Sequence, residues 1–316
     1  MSTIIVGEHG SGHTTLLNFA RRDIYKNQII KQIDLQETLY LTDGNFLPLI
    51  GKAFDLKSVK SLDDAKQALR SLQQPLVCIV ENIQNLFLRI VTGFELIKRF
   101  VSLIYNTHGK VYWVLTCTQY SWEYLDKVLG ISQHFQRVIS LSGMSREDIE
   151  NVVMKRHRIT GYQLEFSIPD SLKKNRQFKK LKASEIQQEF IRNLFFNELQ
   201  DVAKGNISMT LLYWLRSITS VEENKLTISP SIQFDPSFVY QLSPLELFTL
   251  GALLQHEMLT PKNHALVFHQ SIESSRLLFN ALARKGIVIP VDEAYRIHPF
   301  LYRPVVRALI NSHILH

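Results

Sequence analysis

The chain has 316 residues, 45% apolar and 21% charged, and its 36 Lys and Arg against 29 Asp and Glu give a formal net charge of +7. That length suits two or three domains with a sizeable core, the composition excludes a disordered chain, and the basic balance permits contact with nucleic acid or an anionic surface without establishing it. No apolar run reaches the ~18 residues needed to span a bilayer, the first residues read as a strand and a glycine loop rather than a signal peptide, and the only two cysteines, Cys78 and Cys117, sit in apolar runs as reduced, buried thiols. A cytoplasmic protein is expected.

In chain order, Thr3 to Val6 reads as a β-branched strand, Gly7 to Gly12 as a glycine-rich turn, and Thr14 to Ile24 as a helix. A second strand is expected at Ile29 to Leu35, and helices at Asp43 to Phe54 and Ser61 to Leu72. Leu76 to Val80 is continuously apolar between Pro75 and Glu81, which suits the buried centre of a parallel sheet. A helix at Gly93 to Tyr105, a strand at Val111 to Thr116 and a last strand at Phe135 to Leu141 complete the alternation. Strands alternating with helices predict an α/β domain with a parallel sheet over residues 1–142.

The pattern then changes. Ser145 to Asp148 resembles a capping box and opens a helix reaching His157. Ser167 to Lys182, rich in Lys and Arg, reads as a loop, and Ser184 to Lys204 and Ser208 to Ile218 as helices split at Gly205-Asn206. Residues 143–226 are thus expected to form an all-α lid, with a linker from Thr227 to Pro236. Residues 227–316 are expected to form a winged helix-turn-helix. Its helices are Pro244 to Gln255, Asn263 to Phe268 and Ile272 to Lys285, followed by a hairpin of Ile287 to Val291 with Ala294 to His298 and a last helix from Leu301 to Ile310.

Gly7-Glu8-His9-Gly10-Ser11-Gly12-His13-Thr14 fits the P-loop pattern at every defined position except the lysine. Glycines let successive backbone N–H groups turn around phosphate oxygens, and the helix that follows aims its N-terminus at the same oxygens. The loop follows a strand and opens a helix, as the pattern requires. Gly7 to Thr15 are therefore the candidate nucleotide-binding residues for ATP or ADP, and the Thr14 hydroxyl is placed for Mg²⁺. His13 stands where the lysine would supply a full positive charge. Either the loop binds nucleotide through its amides and hydrolyses it weakly, or His13 is a tolerated variant assisted by Arg21 or Arg22.

A P-loop ATPase also needs an acid at the end of a central strand to hold Mg²⁺ through water, often followed by a residue that orients the attacking water. Glu81 and Asn82 take those positions in the expected neighbouring strand, and Asn82 cannot act as a base. Thr116 ends the next strand as a polar candidate for the terminal phosphate. Arg137 opens the last strand and is a candidate arginine finger acting in trans, or a solvent-facing side chain. The eleven histidines are scattered without metal-ligand spacing.

With this P-loop, the Val80-Glu81-Asn82 strand end, the polar Thr116 strand end, and a helical lid and winged helix in that order, the chain resembles the AAA+/STAND branch of P-loop ATPases. The resemblance implies a nucleotide-controlled switch that holds ADP closed and reopens on ATP. It also implies a winged-helix histidine reaching the phosphate, for which His298 in Tyr295-Arg296-Ile297-His298-Pro299 is the match. Pro299 stands where that motif has Asp. Lys204-Gly205-Asn206 before Tyr213 to Arg216 resembles the lid segment near the nucleotide, with Arg216 as a second sensor. Members usually have a segment ahead of the first strand that lines the adenine pocket. Here the strand begins at Thr3, so a larger parent protein or an incomplete adenine site is expected.

Three readings stay open: a switch with slow or no hydrolysis, coupling nucleotide state to protein partners or a homo-oligomer; an AAA+ motor with Arg137 or Arg89 working in trans; and a DNA-binding, initiator-like ATPase. For the last, Ser271 to Asn280 is the candidate recognition helix, with Arg276 and Asn280 on it and Lys285, Arg296, Arg303 and Arg307 beyond. The competing role of the winged helix is to pack on the ATPase domain or to contact proteins.

Overall fold

The computed structural model describes residues 2–35, 40, 42–57, 59–181, 183–230 and 235–315. Five strands, β1 (Ser2–Gly7), β2 (Ile30–Asp34), β3 (Leu76–Glu81), β4 (Val111–Thr118) and β5 (Arg137–Ser140), form one parallel sheet in the order β2-β3-β4-β1-β5. The helices between them are α1 (His13–Phe19), α2 (Asp43–Ala53), α3 (Leu62–Arg70), α4 (Glu95–Thr107) and α5 (Gln119–Leu129). A π-helical turn, Ala20–Ile24, prolongs α1. Side chains of β1, β3 and β4 alternate between two faces. Ile4, Val6, Cys78, Val80, Trp113 and Leu115 pack with Phe46, Ile50, Leu69, Phe100 and Leu125 from the helices between β2 and β5. Ile5, Val77, Ile79 and Val114 pack with Leu17 of α1 on the other face. Every strand residue from Leu76 to Glu81 is buried, as expected for a continuous apolar run in a sheet covered on both sides.

The strand order corrects one expectation. β3 does not neighbour β1, because β4 lies between them. β4 runs Val-Tyr-Trp-Val-Leu-Thr-Cys-Thr and is buried from Trp113 onward, in keeping with its central place in the sheet. α5 had no predicted counterpart. Its buried side is carried by Ser121, Trp122 and Leu125 alone, a thin apolar stripe for a sequence pattern.

Two compact units emerge: Met1–Leu141 with Leu242–His298 and Val305–His316, and Ser142–Gln241 with Pro299–Pro304. The second contains α6 (Arg146–Thr160), the single turns α7 (Asp170–Lys173) and α8 (Arg176–Lys179), α9 (Ser184–Ala203) and α10 (Ile207–Arg216). The Ser145 hydroxyl accepts from the Asp148 N–H at 3.1 Å, which caps α6. Phe195, Phe196 and Trp214 centre this unit's core. The lid is built on helices, with a small sheet added from β6 (Gln163–Phe166), β7 (Ile218–Glu222) and β8 (Lys225–Ile228) in the order β6-β8-β7. Each of these strands has four or five residues, too few to show a period of two in the sequence. The expected linker starts inside β8, and its residues 231–234 lie outside the described residues.

The winged helix comprises α11 (Pro244–His256), α12 (Pro261–Phe268), α13 (Ile272–Arg284) and the hairpin β9 (Val288–Val291) with β10 (Ala294–Ile297), then α14 (Tyr302–Asn311). Ser243 and Glu246 form a capping box on α11, with Pro244 in its first turn. Leu259 and Tyr295 exchange both backbone hydrogen bonds, at 3.1 and 2.9 Å, tying the turn after α11 to the wing. Residues 242–298 fall in the same compact unit as the parallel sheet. Arg89 donates to Gln255 Oε1 at 3.0 Å, and the Ser121 hydroxyl donates to the Gln255 carbonyl at 2.5 Å. Phe87 lies 4.8 Å from the ring of His256.

Candidate functional site

In an open α/β sheet, ligands bind beyond the carboxyl ends of the strands where the chain's connections diverge. Here that point lies between β4 and β1: the chain leaves β1 for β2 in one direction and leaves β4 for β5 in the other. The glycine loop sits there. Gly10 and Gly12 have φ of 79° and 105°, conformations that side chains other than glycine rarely adopt. The Ser11 N–H donates to the Glu8 carbonyl at 3.0 Å, and the Leu16 N–H to the Gly12 carbonyl at 3.0 Å as α1 begins. A Cβ on Gly7 would stand 2.6 Å from Ser11 Oγ and 3.1 Å from His13 Nε2, so both side chains fold back over the loop. Ser11 Oγ and His13 Nε2 are buried without a hydrogen-bond partner, while Thr14 and Thr15 face solvent.

Two buried polar atoms left unpaired in one loop are uncommon in a folded protein. Phosphate oxygens would satisfy them, so the residues fit a nucleotide's phosphates. Burial pushes His13 below its ordinary pKa, with Glu257 acting against that and His9 reinforcing it.

At the end of β3, the Thr14 hydroxyl donates to Glu81 Oε2 at 3.3 Å and Gln32 Nε2 donates to Glu81 Oε1 at 2.9 Å. Arg21 does not assist the loop directly: it donates to Gln32 Oε1 at 2.8 Å and so supports Glu81 from behind. Asp34 lies opposite Glu81 in the β2–β3 register. Burial and the neighbouring Asp34 raise the Glu81 carboxyl above the usual carboxylate range, against the bonds from Thr14 and Gln32 and the charge of Arg21. Thr14 and Glu81 are the residues that would hold Mg²⁺. Among the described residues no group of three His, Cys, Asp or Glu could hold a metal alone, so phosphate oxygens and water would complete the shell.

Asn82 has φ of 66°. Its N–H donates to Thr116 Oγ1 at 3.0 Å, its Nδ2 donates to Asp34 Oδ1 at 3.0 Å, and its Oδ1 accepts from Gln84 at 3.2 Å. Thr116 and Asn82 are therefore used to fasten the ends of β2, β3 and β4 to one another.

The remaining candidates are more dispersed. Arg137 opens β5 and is exposed. Arg89 is committed within the chain, bonded to Gln255 and stacked 5.6 Å from the Phe268 ring, which removes it as a free finger. Arg216 ends α10 in the second unit, 5.2 Å over the Phe300 ring. His298 follows β10, and its N–H donates to the Ile287 carbonyl at 2.8 Å.

The winged-helix residue that meets the loop is Glu257, which the sequence reasoning missed. It follows α11 with φ of 64°. His9 Nδ1 lies 2.7 Å from Glu257 Oε1, and Gln84 Nε2 donates to Oε2 at 2.9 Å. The hydrogen bond to Glu257 raises His9, with burial and the Arg296 charge opposing. Burial would raise Glu257, but the bonds from His9 and Gln84 and the charges of His9 and Arg296 outweigh it and hold the carboxyl below its ordinary value. No local pattern marks Glu257, Gln84 or Arg296. Glu257 follows α11, Gln84 follows β3 and Arg296 lies in β10, so only tertiary packing brings them together.

On α13, Arg276, Asn280 and Arg284 are exposed, together with Glu273 and Leu277, the last 70% exposed. Asn280 Oδ1 accepts from the Tyr295 hydroxyl at 3.0 Å. No helix among the described residues is long and apolar enough to cross a membrane.

No protein-family model matches the chain, and no curated protein matches it in sequence. Among solved structures it is similar to Cdc6p from Pyrobaculum aerophilum, with 13% identity, a TM-score of 0.48, and coverage of 98% of this chain and 88% of that one. It is also similar to the ORC2 protein of Aeropyrum pernix in ADPNP-ADP complexes, with 12% identity, a TM-score of 0.42, and coverage of 99% and 89%. A third is a Walker-type ATPase of Pyrococcus abyssi, with 14% identity, a TM-score of 0.40, and coverage of 97% and 91%. At these scores the functional reading rests on the site itself.

Proposed function

We propose that this chain is an ATP- or ADP-binding regulatory module with weak or absent hydrolysis, coupling nucleotide state to protein partners or to other copies of itself. One observation carries the binding: the glycine loop between β1 and α1 keeps two buried polar atoms, Ser11 Oγ and His13 Nε2, without partners beside the Thr14–Glu81 pair. The loop amides and the start of α1 receive the phosphates. Thr14 and Glu81 would hold a magnesium ion, which, when bound, would neutralise phosphate charge. Weak hydrolysis follows from two side chains. His13 is shorter than the lysine of the pattern and its ring turns in toward Gly7. Asn82, where a base or a water-orienting acid would stand, is tied to Asp34 and Gln84.

A His13→Lys variant is expected to turn over ATP at least about tenfold faster than wild type, since a charge aimed at developing phosphate charge supplies several kcal/mol in such sites. Turnover is read as phosphate release under saturating Mg·ATP. Sustained wild-type turnover as fast as that of the variant would sink the weak-hydrolysis reading.

A second reading has support from the outward face of α13, where Arg276 and Arg284 are exposed. Duplex DNA contacted by that face would bind with an affinity that falls steeply with salt and weakens in an Arg276→Ala, Arg284→Ala double variant. Salt-independent retention, or none, would leave the winged helix as a protein-contacting element.

A further inference from the structure

We propose that Glu257 is a built-in anionic ligand of the phosphate loop, which a nucleotide's terminal phosphate must displace, and that it sets the affinity for ATP relative to ADP. The inference rests on the nucleotide-binding reading and adds a competitor from the chain itself. Both carboxylate oxygens are engaged by donors from two sides of the candidate site. His9, in the loop, holds Oε1 at 2.7 Å, and Gln84, in the 3-10 turn Ile83–Leu86 after β3, holds Oε2 at 2.9 Å. Gln84 also reaches Asn82 at the end of the strand that carries Glu81. A carboxylate accepting from an imidazole N–H and an amide N–H uses the same donors that a phosphate would take.

The placement is specific. The Glu257 side chain is 16% exposed, so it is directed inward rather than lying on the surface. Its φ of 64° is sparsely populated by glutamate. That conformation is fixed from both sides, by the end of α11 and by the Leu259–Tyr295 pairing two residues on. Backbone conformations of this kind persist where the surrounding structure imposes them, and they cluster at switch regions. The titratable groups around the carboxylate are His9, His13, Arg296 and the buried Cys117 thiol.

Like charges a few ångströms apart repel strongly in a partly buried site. A bound terminal phosphate therefore expels Glu257 from His9 and Gln84. Expulsion moves the turn between α11 and α12, which gives the nucleotide a mechanical connection to the winged helix. ATP carries more negative charge than ADP and meets the larger penalty.

The test is titration of the full chain with Mg·ATP and with ADP, in wild type, Glu257→Gln and Glu257→Ala. Removing the charge is expected to tighten ATP binding about tenfold, within the usual range of coupling between two competing ligands, and to tighten ADP less. In parallel, the His9 imidazole is followed by NMR without nucleotide. Its midpoint is expected above the ordinary histidine range in wild type and to drop in Glu257→Gln. Wild-type binding with unchanged or weaker ATP affinity in both variants would overturn the proposal and leave the nucleotide reading intact. If neither wild type nor either variant binds nucleotide while the His9 midpoint still drops, the nucleotide reading fails, and the proposal with it, although the ion pair stands.

Discussion

A Gly7→Ala variant should lose nucleotide affinity by at least about tenfold, or ~1.4 kcal/mol, while keeping its fold. Gly7 ends the buried strand β1, so its backbone is extended and an alanine is conformationally acceptable there. The difficulty is space. The added Cβ would lie 2.6 Å from Ser11 Oγ, 3.0 Å from Leu141 Cβ and 3.1 Å from His13 Nε2. Leu141 is fixed by its N–H bond to the Val6 carbonyl at 2.7 Å, so the two loop side chains must move. Those are the side chains whose free polar atoms mark the cradle. Gly12→Ala reaches a similar loss by a different route. There the Cβ would meet nothing within 4 Å, but φ is 105°, and a left-handed conformation costs an L-residue roughly 1–2 kcal/mol. The loop would relax away from its cradle shape. Equilibrium titration of both variants, with circular dichroism as the check on folding, reads the effect. Wild-type affinity in both would mean that the loop is a structural turn.

Acidification should destabilise the unit that contains the winged helix by several kcal/mol between pH 7 and 4.5. His256 and His264 are 3% and 0% exposed. Burial, reinforced by the Arg89 charge, pushes their pKa values down to about 3 and about 4. His264 is also fixed as one neutral tautomer. Thr249 Oγ1 spends its proton on the Leu245 carbonyl at 2.8 Å and so accepts from His264 Nε2 at 3.0 Å. His264 Nδ1 then accepts, with the Ser275 hydroxyl at 2.9 Å. His256 packs against the Phe87 ring, tilted by 42°, and has no hydrogen-bond partner at Nε2.

The sign follows from proton counting. Below an ordinary histidine pKa of ~6.5 the unfolded chain takes up protons that the folded chain does not. Stability therefore falls as pH drops from about 6.5 toward the folded values. Two pH units of such difference are worth ~2.7 kcal/mol per ring. Glu257 and Glu246, held below their ordinary values, lose their contribution at still lower pH and add to the trend. Glu81, held above its ordinary value, opposes it. Denaturant unfolding at a series of pH values measures the slope, and His256→Phe should flatten it by about half. Equal stability at pH 7 and 4.5 would show that these rings are not shielded as described.

What the sequence made legible is what short-range chemistry determines. The glycine spacing at Gly7, Gly10 and Gly12 is a local demand of the backbone. The apolar run from Leu76 to Val80 can exist only where both faces are covered, and β3 is buried throughout. The cap at Ser145 is likewise a contact between near neighbours. What was not legible depends on chain topology. Strand alternation does not say that β4 separates β3 from β1. It also does not say that Gln32 and Asp34 of β2 reach across to Glu81 and Asn82. Arg89 has the side chain of an arginine finger and is spent on Gln255 and Phe268, partners far along the chain. Glu257 is the clearest case. It follows an ordinary helix in an unremarkable run, Gln255-His256-Glu257-Met258, and acquires meaning only because the turn after α11 lands on the loop.

The central claim is that the loop from Gly7 to Thr15 holds a nucleotide, and the most direct measurement is calorimetric titration of the full chain with ATP and ADP in the presence of Mg²⁺. Saturable binding of either nucleotide at a single site, weakened in Gly7→Ala, is the predicted result. No detectable binding of either nucleotide at concentrations up to ~1 mM, where the binding free energy is about −4 kcal/mol, would contradict it.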